Sequence, residues 1–131
     1  MPTIIKTRLA ASPIHGIGVY ACENIPEGVL IWDFQPPFDQ EFDAAGFARL
    51  DARTQAFIDE YGCFEEASGL WLLSTDNARY MNHSDRPNMR CTTRQGWASR
   101  DIAEGEEITC DYRECGDHAE RFPFIQNSTD E

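Results

Sequence analysis

The stretch RYMNHSDRPN, Arg79 to Asn88, sets two asparagines, a histidine, a serine and an aspartate behind two large apolar side chains, Tyr80 and Met81. It closes on Pro87-Asn88 and comes soon after LWLLS (70–74), an apolar run rich in strand formers. A surface turn is the simplest reading, because Asn, Asp, Ser and Pro all favour turns. If the stretch instead runs through the interior, each polar group needs a partner there, since an unpaired buried one is costly.

Upstream, TIIKTRL (3–9) reads as a first strand. SPIHGIGVYA (12–21) places Gly16 and Gly18 in a loop that leads into a short strand, and VLIWDF (29–34) is a second strong apolar run. QPPF (35–38) breaks it, because proline cannot continue a sheet ladder. From 43 to 61 the period changes. Phe47, Leu50, Thr54, Phe57, Ile58 and Tyr61 recur at three- and four-residue steps, the face of one helix, or of two short ones with Asp51 capping the second. GCFE (62–65) and LWLLS predict a hairpin around Ala67-Ser68-Gly69, and MRCTT (89–93) and GWASR (96–100) predict another, turning at Arg94-Gln95-Gly96.

Two segments echo each other without gaps: ACENIPEGVLI (21–31) and ASRDIAEGEEI (98–108). Ala21/Ala98, Ile25/Ile102, Glu27/Glu104, Gly28/Gly105 and Ile31/Ile108 coincide. Each copy predicts a strand end, a turn on Glu-Gly and a new strand, with glycine supplying the positive φ of the turn. Chance agreement between two common turns is the alternative. The ungapped register favours a duplicated strand-turn-strand unit in a mainly β fold.

The 131 residues suffice for one domain, and 41% are apolar, a folded composition. The net charge of −12 makes nucleic acid a poor partner and a cationic one a better match, although solubility alone explains many acidic proteins. No apolar run is long enough for a membrane span and no secretory signal is visible, so a cytoplasmic location is expected. Lys6 is the only lysine. The five cysteines form no C-x-x-C pair, which argues against a disulfide framework or a zinc site from Cys110, Cys115 and His118; no metal is expected. RFPFI (121–125), in an otherwise polar tail, needs something to cover.

HGIG (15–18), NHS (82–84) and DY (111–112) are each weak signals alone. In this order they resemble the SET domain of protein lysine methyltransferases. SPIHGIGVYA resembles that family's first motif, ARYMNHSDRPN its Asn-His-Ser segment, and EEITCDY its Glu-x-x-x-Asp-Tyr motif. The likeness spans roughly residues 3–113, leaving 114–131 as a short C-terminal extension, partly packed over the site and frayed at its end. It implies a mainly β fold with short helices, the β-clip fold, with a threaded, pseudoknot-like C-terminal segment. It also implies S-adenosylmethionine as methyl donor, with a lysine entering a narrow channel from the opposite side.

By that resemblance His15, Gly16, Ile17, Gly18, Arg79, Asn82 and His83 bind the cofactor and Tyr112 is catalytic. Methyl transfer is an in-line displacement by a neutral amine, so it asks for alignment and a fitted electrostatic environment rather than a strong base. Desolvation in an apolar channel lowers the lysine pKa. Phe34, Tyr61, Phe64 and Trp71 are candidate channel walls, with core packing as their alternative role. Cys110 stands two residues before Tyr112, where the family often has Phe or Tyr that limits the number of methyl groups. The family's cysteine-rich zinc segment is missing, so Phe122 or Phe124 is expected to fold back over cofactor or channel. The implied partner is a basic lysine-containing protein, and a homodimer could complete the site. The competing readings are a non-catalytic SET-fold binding or regulatory module, and a thiol or zinc hydrolase using Cys110, Cys115, His83 and His118.

Overall fold

A computed structural model of the chain describes residues 5–115. In chain order its elements are β1 (Thr7–Ala11), β2 (Ile17–Ala21), β3 (Leu30–Asp33), β4 (Gln40–Phe42), α1 (Ala44–Ala48), α2 (Ala52–Tyr61), β5 (Cys63–Glu65), β6 (Leu70–Leu73), β7 (Asn82–His83), β8 (Met89–Cys91), β9 (Gln95–Ala98) and β10 (Glu107–Cys110). Short 3-10 turns lie at Asn77–Tyr80 and Tyr112–Cys115. The strands form three small sheets in the orders β1-β2-β10-β7, β3-β9-β8 and β4-β6-β5. The protein is thus mainly β with short helices.

β10 is the hinge of the topology. It runs antiparallel to β2, with Ile108 opposite Val19, and parallel to β7, with Thr109 opposite Asn82 and Cys110 opposite His83. Val19 and Ile108 are fully buried, so an apolar centre holds the place where three distant parts of the chain meet. Beyond it, Ser84 N–H donates to the Cys110 carbonyl and Cys91 N–H to the Glu114 carboxylate. The end of β10 is therefore tied to Ser84, and the turn that follows it to β8.

The sequence echo becomes a pair of facing turns. Ile25 and Ile102 exchange both backbone hydrogen bonds at 2.8 Å. Gly28 N–H donates to the Ala98 carbonyl at 2.9 Å, and Gly105 N–H to the Ala21 carbonyl at 2.8 Å. Asp101 accepts from Glu27 N–H at 2.8 Å, and Asn24 accepts from Glu104 N–H at 2.9 Å. Each of these bonds in one copy has its counterpart in the other, and the two turn glycines have φ of +89° and +88°. The matching residues thus make matching bonds across a local pseudo-twofold axis.

Three details depart from the sequence reading. The second hairpin turns earlier, since β9 already begins at Gln95 and Thr92 N–H donates to the Gln95 carbonyl. β4 is an added edge strand of Gln-Glu-Phe, too short and polar to signal itself. The helical region does split in two, with Asp43 and Asp51 each accepting a capping bond at 2.7 Å, but only Ile58 of α2 is fully buried. The other members of its predicted face meet aromatic neighbours instead, such as Tyr61 against Tyr80 at 5.5 Å.

An ionic cluster joins two of the sheets. Glu65 of β5 takes a forked contact from Arg94, Nη2 to Oε1 at 2.8 Å and Nε to Oε2 at 3.0 Å, and also accepts from Ser68 and Thr93. Arg94 also reaches Glu41 of β4 at 3.0 Å. The Arg94 hydrogen bonds outweigh burial and lower the Glu65 pKa to about 2. A carboxylate depressed on folding stabilises the fold above its unfolded pKa and loses that contribution as pH falls through the folded value. Stability should therefore drop as pH falls from about 4.5 towards 2. Thermal melts should show that drop partly flattened in Glu65→Gln, which is less stable than the parent at neutral pH by about 2 kcal/mol.

Candidate functional site

Two cavities abut near the end of β7. The wider, about 410 Å³, is bounded by the loop 14–17, the turn 79–81, Asn82, His83 and Tyr112. The narrower, about 90 Å³, is lined in part by Phe34, Cys63, Met89, Cys91 and Cys110. Glu60, Tyr61, Arg79, Met81 and Tyr112 border both. Tyr112 thus stands at the partition between a roomy cleft and a tight, mostly apolar chamber.

The wider cleft takes its shape from a buried polar network. The Asn82 side-chain amide donates to the His15 carbonyl (3.1 Å), the Ile17 carbonyl (3.1 Å) and Glu107 Oε2 (3.0 Å). An amide has two such hydrogens, so the three acceptors share them. Ser12 Oγ donates to the other face of the Glu107 carboxylate at 2.9 Å. The loop carrying His15, Gly16 and Ile17 is therefore pinned from below by β7 and β10. Gly16 has φ +45°, and a Cβ there would meet open space, so the backbone lies bare to the cleft.

Gly18 does something other than border the cleft. A Cβ on it would lie 2.3 Å from Glu107 Oε2 and 3.0 Å from the Ser12 Cβ. Its missing side chain makes room for the carboxylate that the network is built on. Gly18 is not among the residues that line the wide cleft.

Tyr112 is held at both ends. Its hydroxyl donates to the Met81 carbonyl at 2.6 Å, and its backbone N–H donates to His83 Nδ1 at 3.1 Å. Arg79 lies under the same partition. Its guanidinium sits over the rings of Tyr80 (5.0 Å) and Phe57 (5.7 Å), and its Nη2 donates to the Tyr80 hydroxyl. Its Nε is buried without a hydrogen-bond partner among the described residues. A buried guanidinium N–H at a cavity wall calls for an acceptor from a ligand.

Of the residues expected to form the channel, Phe34, Tyr61 and Cys110 border the narrow chamber. Phe64 and Trp71 do not. Trp71 stacks on Phe47 at 4.5 Å and packs against Phe64 at 5.3 Å, so the β4-β6-β5 sheet and α1 use these rings as their own packing. Phe122, Phe124 and His118 lie outside the described residues. Among the described residues no group of three or more His, Cys, Asp or Glu could hold a metal ion. Sequence reasoning missed Ser12, the Met81 carbonyl, Asn88 and Glu107 as builders of the site. Glu107 had a signal, as the first residue of the Glu-x-x-x-Asp-Tyr motif; a backbone carbonyl has none.

A SET domain model matches residues 16–113, three quarters of the chain. The chain belongs to the SET domain family. It is 31% identical, over 90% of its length, to the histone-lysine N-methyltransferase, H3 lysine-4 specific, of Chaetomium globosum, and spans 12% of that relative's length. A crystal structure of a Plasmodium falciparum candidate histone methyltransferase superposes with a TM-score of 0.61 at 21% identity, covering 82% of this chain and 93% of that one. The apo ctPRC2 structure with substitutions in Ezh2 gives a TM-score of 0.69 at 21% identity over 89% of this chain and 16% of that one. These two share the SET fold with it.

The Gly18 geometry yields a test. The Glu107 carboxylate can swing away from an added Cβ only by giving up its bonds to Ser12 and Asn82. Gly18→Ala should lose about 1–3 kcal/mol of stability by denaturant melt. It should also loosen the 15–17 loop, read as faster amide hydrogen exchange there.

Proposed function

We propose that this protein is an S-adenosylmethionine-dependent protein-lysine N-methyltransferase acting on the side-chain amine of a lysine in a basic protein. The observation that carries this reading is the Tyr112 hydroxyl, fixed on the Met81 carbonyl where the wide cleft meets the narrow chamber.

The cleft fits the donor on three counts: its volume, the bare backbone at Gly16, and the unpartnered Arg79 Nε that suits a carboxylate. Arg79, Asn82, His83 and the 15–17 loop would hold it. Bound there, S-adenosylmethionine supplies a methyl group activated by a positively charged sulfur. The chain's own part is to align and to dry the amine. Phe34, Met81 and Met89 are buried in the core beside the chamber, so an entering lysine is desolvated and its neutral form favoured. The Tyr112 hydroxyl spends its proton on Met81, which leaves its oxygen as an acceptor toward an amine N–H. A fixed dipole of this kind needs no reorganisation during transfer.

The substrate class follows from charge. Residues 33–76, which supply Phe34, Glu60, Tyr61 and Cys63 to the chamber, hold ten acidic and two basic side chains. Such a surface attracts a basic polypeptide and speeds its encounter.

Labelled S-adenosylmethionine incubated with the protein and a cell lysate should mark lysines in basic proteins. Tyr112→Phe should lower transfer by about 10²–10³-fold while donor binding by calorimetry persists. Donor binding without any transfer by the parent protein would support a binding module instead. Buried Cys110 on the chamber wall leaves space beside the amine. Mass spectrometry should therefore find products beyond monomethyl-lysine, and Cys110→Phe should shift them toward monomethyl-lysine.

A further inference from the structure

We propose that Asp85 is a positioning residue for Tyr112, acting through the tautomer of His83; the kinetic part of this rests on the function proposed above. The His83 side chain is only 4% exposed and joins two partners. Tyr112 N–H points at Nδ1 from 3.1 Å, and Asp85 Oδ1 lies 3.0 Å from Nε2. A backbone N–H can only donate, so Nδ1 must be the unprotonated nitrogen. The ring proton then sits on Nε2 and is donated to Asp85.

The opposite tautomer has a waiting partner. Asp111 Oδ1 is 3.8 Å from Nδ1 and would draw a proton there, at the expense of the Tyr112 N–H bond. Arg113 works against this. It covers Asp111 with Nε to Oδ1 at 2.9 Å, Nη2 to Oδ2 at 2.8 Å and its own backbone N–H to Oδ1 at 2.9 Å. Burial opposes charge on Asp111, yet these Arg113 bonds outweigh it and keep the carboxyl below its ordinary pKa. Arg113 Nη2 also reaches Asp85 Oδ1 at 3.3 Å and holds it beside the ring. One carboxylate is thus occupied by the arginine and the other is presented to His83.

The consequence falls on the hydroxyl. Tyr112 hangs between the His83 ring and the Met81 carbonyl, two residues apart on one segment. Losing the ring acceptor frees the backbone end, and the hydroxyl at the cavity partition loses its aim.

The test uses the full chain with 15N-labelled histidine. In the parent protein, NMR should show His83 Nδ1 as the unprotonated and Nε2 as the protonated nitrogen, without any donor or substrate present. Asp85→Ala should give a mixture of tautomers, and Asp85→Asn, which keeps an acceptor oxygen, should restore the parent pattern. In methyl-transfer assays Asp85→Ala should lower kcat by about 10–100-fold, a larger change than in donor binding, and Asp85→Asn should recover most of that loss. A proton on Nδ1 in the parent protein overturns the proposal even if no variant folds. An Asp85→Ala protein with the parent tautomer, or with parent kcat, also overturns it. A parent protein that transfers no methyl group defeats the functional reading instead, and the tautomer measurement still decides the role of Asp85.

Discussion

The side-chain amide of Asn82 is the contact on which the site depends. It is buried on β7 and gives its hydrogens to the carbonyls of residues 15 and 17 and to the carboxylate of Glu107. Those partners lie 67, 65 and 25 residues away in the chain. In the sheet β7 pairs with β10 and not with the 15–17 stretch, so no ladder reaches those two carbonyls. A side chain replaces the ladder. Asn88, at the other end of the stretch, repeats the device: its Oδ1 accepts from Thr109 N–H and its Nδ2 donates to the Glu107 carbonyl. The dense polar stretch is therefore interior wiring, and a surface turn does not account for it.

Much of this was legible in the sequence. The order of HGIG, NHS and DY gave family, fold and most of the cleft lining, because backbone-shaped motifs leave strong residue signatures. The echo of Glu-Gly turns was legible because a positive φ on one face of a pseudo-twofold demands glycine twice. The aromatic walls were not legible. Phe34 and Trp71 look alike as large rings near strands, and only the three-dimensional path sends one to the chamber and the other onto Phe47. Gly18 has a neighbour that the sequence did not announce. Its close approach is to Glu107, across a sheet whose register no local pattern states.

Three small sheets share one modest apolar core, so side-chain bonds between sheets matter more than in a large domain. Glu65 with Arg94 ties the β4-β6-β5 sheet to the β8-β9 turn, and Glu114 with Arg90 and Cys91 ties the turn after β10 to β8. Both ties flank the narrow chamber, whose wall includes Cys91 and Thr93. The chamber is therefore held at its rim by charge-assisted bonds and filled at its back by sulfur and aromatic groups. That division suits a channel that must admit a flexible side chain yet keep water out.

Fold and site are consequently not separable at every residue. Asn82, Asn88 and Glu107 bind backbone to backbone, and removing any of them leaves a buried polar group without a partner, so the molecule would lose structure along with the cleft. Tyr112 differs in kind: its ring packs against the core and its hydroxyl donates to the Met81 carbonyl at a cavity wall. Asp85 lies further out and touches His83 and Arg113. Interior asparagines make the cleft exist, and the proposed chemistry and its alignment rest on the tyrosine hydroxyl and on the peripheral charges. The ordering follows burial, because a polar group deeper in the fold has fewer ways to be replaced by water.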